Sequence, residues 1–547
     1  MHGVLILASL LLPHGGQYLP PHPEPTVDSP LIDQAVIQPG YGPYFQVQPE
    51  RWEWWFDFNR EEIVDRRRRM LSLPSESGQG GYLEVDDDTR IKEVLPVLLQ
   101  ALEHHNRDVR ATAAVSVARL GLPSAIDAVI DRTRDPDLYV RTQAVLALGF
   151  VHQPITTERL HAILRDRLNG SEIRLVAAVA LGLLGTSESI QILEQYLQPK
   201  TLKKLDYLLQ AGVVYAAGVA AEHAPAHSLI ALLDTWQLEQ DARLRSLLTV
   251  ALGRSGVPAA LPVVLRLLAD DDNEVRRSAA AALEGLASHV QAPEAQAIIK
   301  RASTEKDLST LGNLYHALGR VRLPETRAFL KQELTRTTTL LRPHVALALG
   351  LDGDPSNADK LLDALDDQHE LSARGALITA LSMIQDPRVL PILRDELKKS
   401  QEPVYLSVLC RAAGLVGEAD DETVKRLVEL AETIHNVEVS RLAMLGLGLL
   451  GQRDEVSALA ETSSEVLATM DRAGRAFAMG QVGDRDTIAP LLDLAQDERQ
   501  PSYVIAYAIQ ALGEICDSRI RSPVWYLSRH VSLYHDVTDI YELYRLP

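Results

Sequence analysis

Hydrophobic positions recur along this chain at the spacing of an α-helix, in pairs of segments that differ in character. The first segment of a pair places Leu, Ile or Val between charged residues, as in IKEVLPVLLQAL. A short acidic turn follows, and the second segment is apolar or small nearly all round, as in EVRRSAAAALEG. A helix of the second kind is buried between neighbours, so each pair predicts one outward-facing and one enclosed helix.

The pair repeats with a nearly constant period. Counted from a reference position that is often Arg, the second segment recurs at residues 110, 141, 174, 210, 245, 276, 311, 342, 374, 406, 440, 472 and 505, which makes thirteen units spaced by 31–36 residues. Arg occupies this reference, position 0, in eight units. A fixed period of this length with two helices in each unit predicts a helical solenoid.

Glycine marks a second recurring position. It occupies position +8 in ten units, well inside the second helix, where it costs about 1 kcal/mol relative to Ala. Position +1 is also mostly small. A neighbouring helix that approaches too closely for a side chain explains both, so the second helices are predicted to pack tightly against one another.

These units resemble HEAT repeats, especially the short bacterial kind that also occurs in phycobilin lyase subunits. The resemblance covers roughly residues 90–516 and implies an all-α, right-handed α-solenoid of about 13 two-helix repeats with a capping segment at each end. In that family the turn Asp and the position-0 Arg form a ladder between units. The resemblance therefore implies the pairs Asp108 with Arg110 and Asp137 with Arg141, and the units centred on 210, 311, 406, 440 and 505 lack the Arg.

The remaining sequence sets the domain boundaries. We predict a signal peptide at 1–17, a Pro-rich linker at 18–50, an aromatic and basic segment at 51–84, the solenoid at 85–517 and a C-terminal cap at 518–547. The apolar run Val4 to Leu12 is typical of a secretory signal and predicts export to the periplasm or the outside of the cell. No Lys or Arg precedes that run, so a cytoplasmic location is the alternative.

Composition narrows the partners. The chain has 547 residues and a formal net charge of −19, and such a surface repels phosphate backbones and anionic lipids. It lacks an apolar run of 18 residues, so membrane insertion is not expected. A protein or a peptide is the expected partner. Cys410 and Cys516 lie three units apart, which predicts two free, buried thiols.

Candidate binding residues lie in two places, and no catalytic, cofactor or metal residue is predicted. GLGLLG at 446–451 sits late in a second helix, whereas a dinucleotide fingerprint follows a strand. On the second helices, positions +2, +5 and +9 share one stripe that carries basic groups in a few units. Those basic groups either bind a partner or satisfy neighbouring carboxylates. The N-terminal tryptophans either cap the first unit or dock a partner. The predicted binding residues are Arg254, His316, Arg320, His344 and Arg411 on the stripe, with Trp52, Trp54 and Trp55 in the N-terminal segment.

Three classes of function remain open. The first is a non-catalytic scaffold or adaptor that binds a protein or peptide along its concave face, which agrees with every feature above. The second is a bilin-lyase-like chromophore transferase, which the resemblance alone implies. The third is a nucleic-acid-binding HEAT protein, which the net charge disfavours. The sequence does not fix the oligomeric state.

Overall fold

The structure is a computed structural model that describes residues 52, 85–220, 227–231, 242–337, 340–433, 436–461, 469–517 and 519. Within these ranges the regular elements are helical, and all thirteen reference positions lie in a helix. The predicted all-α solenoid of two-helix units is therefore confirmed. The predicted signal peptide, the linker and most of the aromatic segment and C-terminal cap lie outside the described residues.

The second helices of the units, here called inner helices 1 to 13, form one layer. Their bounds are Arg107–Arg119, Leu138–Leu148, Ser171–Leu184, Tyr207–Val219, Ala242–Ser255, Asn273–Leu286, Leu308–Val321, Arg342–Asp352, Leu371–Ile384, Pro403–Val416, Val437–Leu449, Thr469–Val482 and Ser502–Ile515. Each inner helix packs along the preceding and the following one.

The first helices of the units form the outer layer. They span Leu95–Ala101, Ile126–Arg132, Pro154–Arg165, Ser187–Leu197, 227–231, Leu261–Leu267, Ala292–Ala302, Pro324–Arg336, Ala358–Asp366, Val389–Lys399, Asp421–Thr433, Arg453–Glu461 and Ile488–Gln496. A π-helical turn, Thr89–Val94, precedes the first of them, and a short helix, Pro199–Leu202, follows the fourth. None of the described helices is long and apolar enough to cross a membrane.

Local sequence fixes where the inner helices begin and end. The side chains of Asn106, Asp137 and Asp272 accept hydrogen bonds from the first backbone N–H groups of inner helices 1, 2 and 6, as N-caps do. At the other end, Gly185 and Gly353 stop inner helices 3 and 8 with φ of 56° and 70°. Glycine adopts that left-handed conformation without steric cost, so these helices end where the sequence places it.

The glycines at position +8 are where neighbouring inner helices approach most closely. A Cβ added at Gly149 would lie 2.8 Å from Cα of Ala180, and one at Gly253 would lie 2.5 Å from Cα of Ala282. In both pairs the position +8 glycine faces position +6 of the next inner helix. Position +6 is Ala, Ser or Gly in all thirteen units. The repeated register makes the inner helices parallel and confirms that close approach explains the glycines.

The two ends of the solenoid meet. Inner helix 13 packs along inner helix 1 as extensively as neighbours elsewhere do. A Cβ at Gly513, at position +8, would lie 2.6 Å from Cβ of Ser116, at position +6. Arg119 and Glu514 form an ion pair of 3.2 Å across the same interface. The thirteen units therefore close into a ring, and each end unit covers the other where the sequence had suggested two separately capped ends.

Position-0 arginines connect the units, with partners other than those the resemblance implied. Arg110 donates to the carbonyl oxygens of His104 and His105 at 2.9 Å and pairs with Asp135 of the next unit at 3.0 Å. Arg245 with Asp270 and Arg276 with Glu305 repeat this unit-to-unit pairing, both at 3.3 Å. The ladder thus joins these three arginines to a carboxylate of the following unit.

The specific pairs named from the sequence are corrected by this geometry. Asp137 uses its carboxylate to cap inner helix 2, accepting from the backbone N–H groups of Tyr139 and Val140. Arg141 donates to the carbonyl oxygens of Asp135 and Pro136 at 2.7 and 2.9 Å. The resemblance implied that Asp137 and Arg141 meet, but the helix start directs the carboxylate to the backbone and the guanidinium to the preceding turn.

Both cysteines agree with the sequence. Cys410 lies in inner helix 10 and Cys516 lies just after inner helix 13, and both are free and buried. Burial raises the pKa of each thiol to about 12, because the thiolate is costly away from water.

Candidate binding surface on the inner ring

Positions +2, +5 and +9 lie on one side of each inner helix, and the row that they make around the ring is here called the inner stripe. Most side chains of this row are buried, with Arg254 and His344 each 4% exposed and His316 fully enclosed. At 100° per residue these positions lie roughly 140–200° from position 0, whose arginines reach the outer layer. The inner stripe therefore faces away from the outer helices. Among its 39 positions are four Arg, two His and a single carboxylate, whereas the whole chain has 74 Asp and Glu against 55 Lys and Arg. The charged members are Arg119, Arg254, His316, Arg320, His344, Arg411 and Glu514.

Two predicted residues, His316 and His344, form a buried pair between inner helices 7 and 8. Nδ1 of His344 lies 3.2 Å from Nε2 of His316, and the ring centroids are 5.1 Å apart. Burial, with the neighbouring His344 and Arg320, lowers the pKa of His316 well below its usual value. Neutral imidazoles at this distance share one hydrogen, with one ring donating and the other accepting.

Arg320 lies one helical turn after His316 and pairs with a carboxylate of the preceding unit. Its Nε donates to Oε2 of Glu284 at 3.0 Å. Glu284 occupies position +8 of unit 6, where ten other units carry Gly. Of the two alternatives for the basic groups of the stripe, Arg320 therefore follows the second, because it satisfies a neighbouring carboxylate. The same ion pair shows that its guanidinium is oriented to bind a carboxylate.

Arg254 and Arg411 stand on other inner helices than His316, Arg320 and His344. The guanidinium of Arg254 lies 4.5 Å from the centroid of the Tyr215 ring, between inner helices 4 and 5. Arg411 is buried in inner helix 10, three units beyond Arg320. The structure thus brings His316, His344 and Arg320 together, with Glu284. It places Arg254 on inner helix 5 and Arg411 on inner helix 10.

Several charged or aromatic residues on the inner stripe or directly beside it were missed by the sequence analysis. Arg441 pairs with Glu438, donates to Oε1 of Gln481 at 2.5 Å and lies 5.3 Å from the Phe477 ring centroid. Glu284, Tyr215 and Arg119 also belong to the set. The sequence did contain a signal for these residues, since each is a charged or large polar side chain within a helix that is otherwise apolar all round.

Trp52 lies far from the first unit. Its side chain is 1% exposed, and Nε1 donates to the carbonyl oxygen and to Oγ of Ser372 at 3.1 and 2.9 Å. Ser372 is the second residue of inner helix 9. Trp52 is therefore not a cap over unit 1, while Trp54 and Trp55 lie outside the described residues.

A search of the described part of the chain for three or more His, Cys, Asp and Glu side chains placed to hold a metal ion found none. Within this part of the molecule His316 contacts His344, and Arg320 pairs with Glu284 beside the stripe.

The buried His316 makes stability depend on pH. Because its folded-state pKa is below the unfolded value of about 6.5, the unfolded chain takes up the proton first as pH falls. We expect stability to decrease below pH ~6.5, and His316→Gln to reduce the loss between pH ~7.5 and ~5 by up to about 2 kcal/mol. Urea unfolding at the two pH values measures this. His152→Gln, at an exposed position, is the control and should leave the loss unchanged.

Family models agree with the repeats. The model described as HEAT repeats matches residues 83–149, 126–205 and 328–412, and a second HEAT repeat model matches residues 260–290. The chain is a HEAT-repeat protein. The units between the matched regions follow the same position +8 to position +6 register.

Individual relatives of this HEAT-repeat protein are distant. Deoxyhypusine hydroxylase of Drosophila melanogaster is 27% identical over 139 residues, which are 24% of this chain and 45% of that protein. The match thus spans less than half of the relative. A chain of the CpcE–CpcF complex of phycocyanin lyase from Nostoc sp. aligns at 20% identity over 44% of this chain and 92% of its own, with a TM-score of 0.30. Kap121p aligns at 13% identity over 81% and 56%, with a TM-score of 0.37. These likenesses extend no further than the helical-repeat architecture.

Proposed function

We propose that this ring is a non-catalytic scaffold that binds an acidic protein or peptide segment along its inner stripe. The charge of the stripe is the observation that supports this most directly. Four Arg and two His stand there with one carboxylate, in a chain of net charge −19. Such a surface attracts carboxylates, while the rest of the molecule repels them, so binding is directed to the inside of the ring.

The side chains of the stripe are of the types that protein interfaces use. Arg and Tyr are enriched among the residues that dominate binding energy, and both types occur here, with the guanidinium of Arg254 against the ring of Tyr215. Both side chains are largely buried, so a partner reaches them only at their edge. Arg320 keeps 16% of its side chain exposed while it binds Glu284. A carboxylate of a partner can therefore replace or join Glu284 at a guanidinium already oriented for it.

A fluorescently labelled poly-glutamate peptide tests this proposal, because the acidic outer surface repels such a probe. We expect the full chain to bind it, and the affinity to fall as salt is added. The double change Arg254→Gln with Arg320→Gln should weaken binding roughly tenfold, or ~1.4 kcal/mol, by removing two of the attracting charges. Fluorescence anisotropy gives both values.

The matched control is Arg388→Gln with Arg499→Gln, which removes the same charge from side chains that are 51% and 91% exposed. Its affinity for poly-glutamate should equal that of the unchanged protein. Equal weakening by both double variants, or no binding by the unchanged protein, would contradict a role for the inner stripe.

A further inference from the structure

Trp52 occupies a pocket formed by the first turns of inner helices 9 and 10. A Cβ added at Gly375 would lie 3.6 Å from Cζ2 of Trp52 and from Cε2 of Tyr405, and 3.0 Å from Cγ1 of Val408. Gly375 therefore leaves the space in which the indole lies. Trp52 is among the largest fully buried side chains of the described residues. Its partner Ser372 is 320 residues away in the sequence.

The polar part of the pocket matches an indole. The carbonyl oxygen and Oγ of Ser372 both accept from Nε1, at 3.1 and 2.9 Å. A phenylalanine ring would leave these acceptors without that donor, whereas Trp satisfies them and fills the apolar part. Leu371 and Val404, next in sequence to pocket residues, are 40% and 47% exposed and extend an apolar surface beside it.

The pocket lies on one rim of the ring, and the chain enters unit 1 at the other rim. Ser372 is in the first turn of inner helix 9, whereas Arg90, five residues after Val85, donates to the carbonyl oxygen of Leu120 at the end of inner helix 1. Because the inner helices are parallel, these ends belong to opposite rims. Thirteen helices at about 9 Å spacing make a ring of roughly 40 Å diameter. The 33-residue step from 52 to 85 reaches up to about 110 Å, so it connects the two points easily.

We propose that the pocket of Ser372, Gly375 and Tyr405 is a tryptophan-recognition site whose resident ligand is the chain's own N-terminal segment, bound in cis through Trp52. The segment is tied to unit 9 by this side chain and to unit 1 by the backbone. The site adjoins the inner stripe at Val408, which is at position +2 of unit 10. It accepts a peptide of the same chemistry, an aromatic segment with an indole N–H, once Trp52 is removed. This inference does not depend on the proposed partner.

A peptide of residues 46–60, labelled with a fluorophore, tests the site in trans. With the full chain carrying Trp52→Ala the pocket is empty, and we expect the peptide to bind at least tenfold more tightly than to the unchanged chain. The same peptide with Ala in place of Trp52, Trp54 and Trp55 should bind neither protein. Fluorescence anisotropy measures the affinities, and circular dichroism compares the folding of the two proteins.

Two further variants keep the result interpretable. Trp52→Phe retains an aromatic ring without the N–H donor, so a chain with this change should bind the peptide with intermediate affinity. It replaces Trp52→Ala in the experiment if that variant folds poorly. Adding Gly375→Val to Trp52→Ala fills the pocket and should abolish peptide binding. Equal peptide binding by the unchanged and Trp52→Ala chains, or binding by neither, overturns the proposal. The proposal is also overturned if the unchanged chain is a dimer and its dissociation makes the site available to the peptide. Trp52 would then bind the pocket of another copy rather than its own.

Discussion

Replacing Gly253 with Leu is expected to reduce the free energy of unfolding by about 3 kcal/mol, the upper end of the usual cost of overpacking. A Cβ there would lie 2.5 Å from Cα and 2.7 Å from the carbonyl oxygen of Ala282. Both atoms are backbone, so no side chain can rotate away and inner helices 5 and 6 have to separate. Chemical denaturation of the full chain measures the loss.

Two other glycines calibrate this result. At Gly350 a Cβ would lie 3.0 Å from Cα of Ala380 and 3.2 Å from Sδ of Met383, a flexible neighbour, so Gly350→Leu should cost less. Gly170 has φ of −58° and no heavy atom within 4 Å of its added Cβ. Gly170→Leu should therefore cost under about 1 kcal/mol, as a weakened N-cap does. Equal losses at all three positions would show that side-chain size, rather than helix approach, sets the cost.

The repeat architecture could be predicted from the sequence because it is local. Helical periodicity, the acidic turn and Gly at position +8 occur within each unit and recur thirteen times. The partner of that glycine, position +6, was small in every unit but went unnoticed, because Ala is unremarkable in an apolar helix. Its meaning appears only when two units are placed side by side.

Ring closure had a sequence signal that was not used. Gly513 stands at position +8 of the last unit and Ser116 at position +6 of the first, although a capped end needs neither. The position of Trp52 carried no such signal, since its partner Ser372 is 320 residues away. The inner stripe followed from the helical period, but the ion pair of Arg320 did not, because Glu284 replaces the glycine that the repeat led us to expect there.

Replacing Gly513 with Leu is expected to open the ring while leaving most of the solenoid folded. Its Cβ would lie 2.6 Å from Cβ and 2.8 Å from Cα of Ser116, so inner helices 13 and 1 have to move apart. Units of a solenoid depend on their neighbours, and losing this interface leaves the interfaces between consecutive units intact. The radius of gyration from small-angle X-ray scattering should rise, with helix content nearly unchanged.

Hydrogen exchange locates the opening. Amides of inner helices 1 and 13 should exchange roughly tenfold faster, while those of inner helices 6 and 7 keep their protection, since stability in such a chain is local. Glu514→Gln keeps the shape of the side chain but removes the charge that pairs with Arg119 across the closure at 3.2 Å. That change leaves the guanidinium, which is 5% exposed, without its ion pair, and should speed exchange at the same two helices. Gly170→Leu, away from the closure, should alter neither measurement. An unchanged scattering profile for Gly513→Leu would mean that the end units do not hold the ring together in solution.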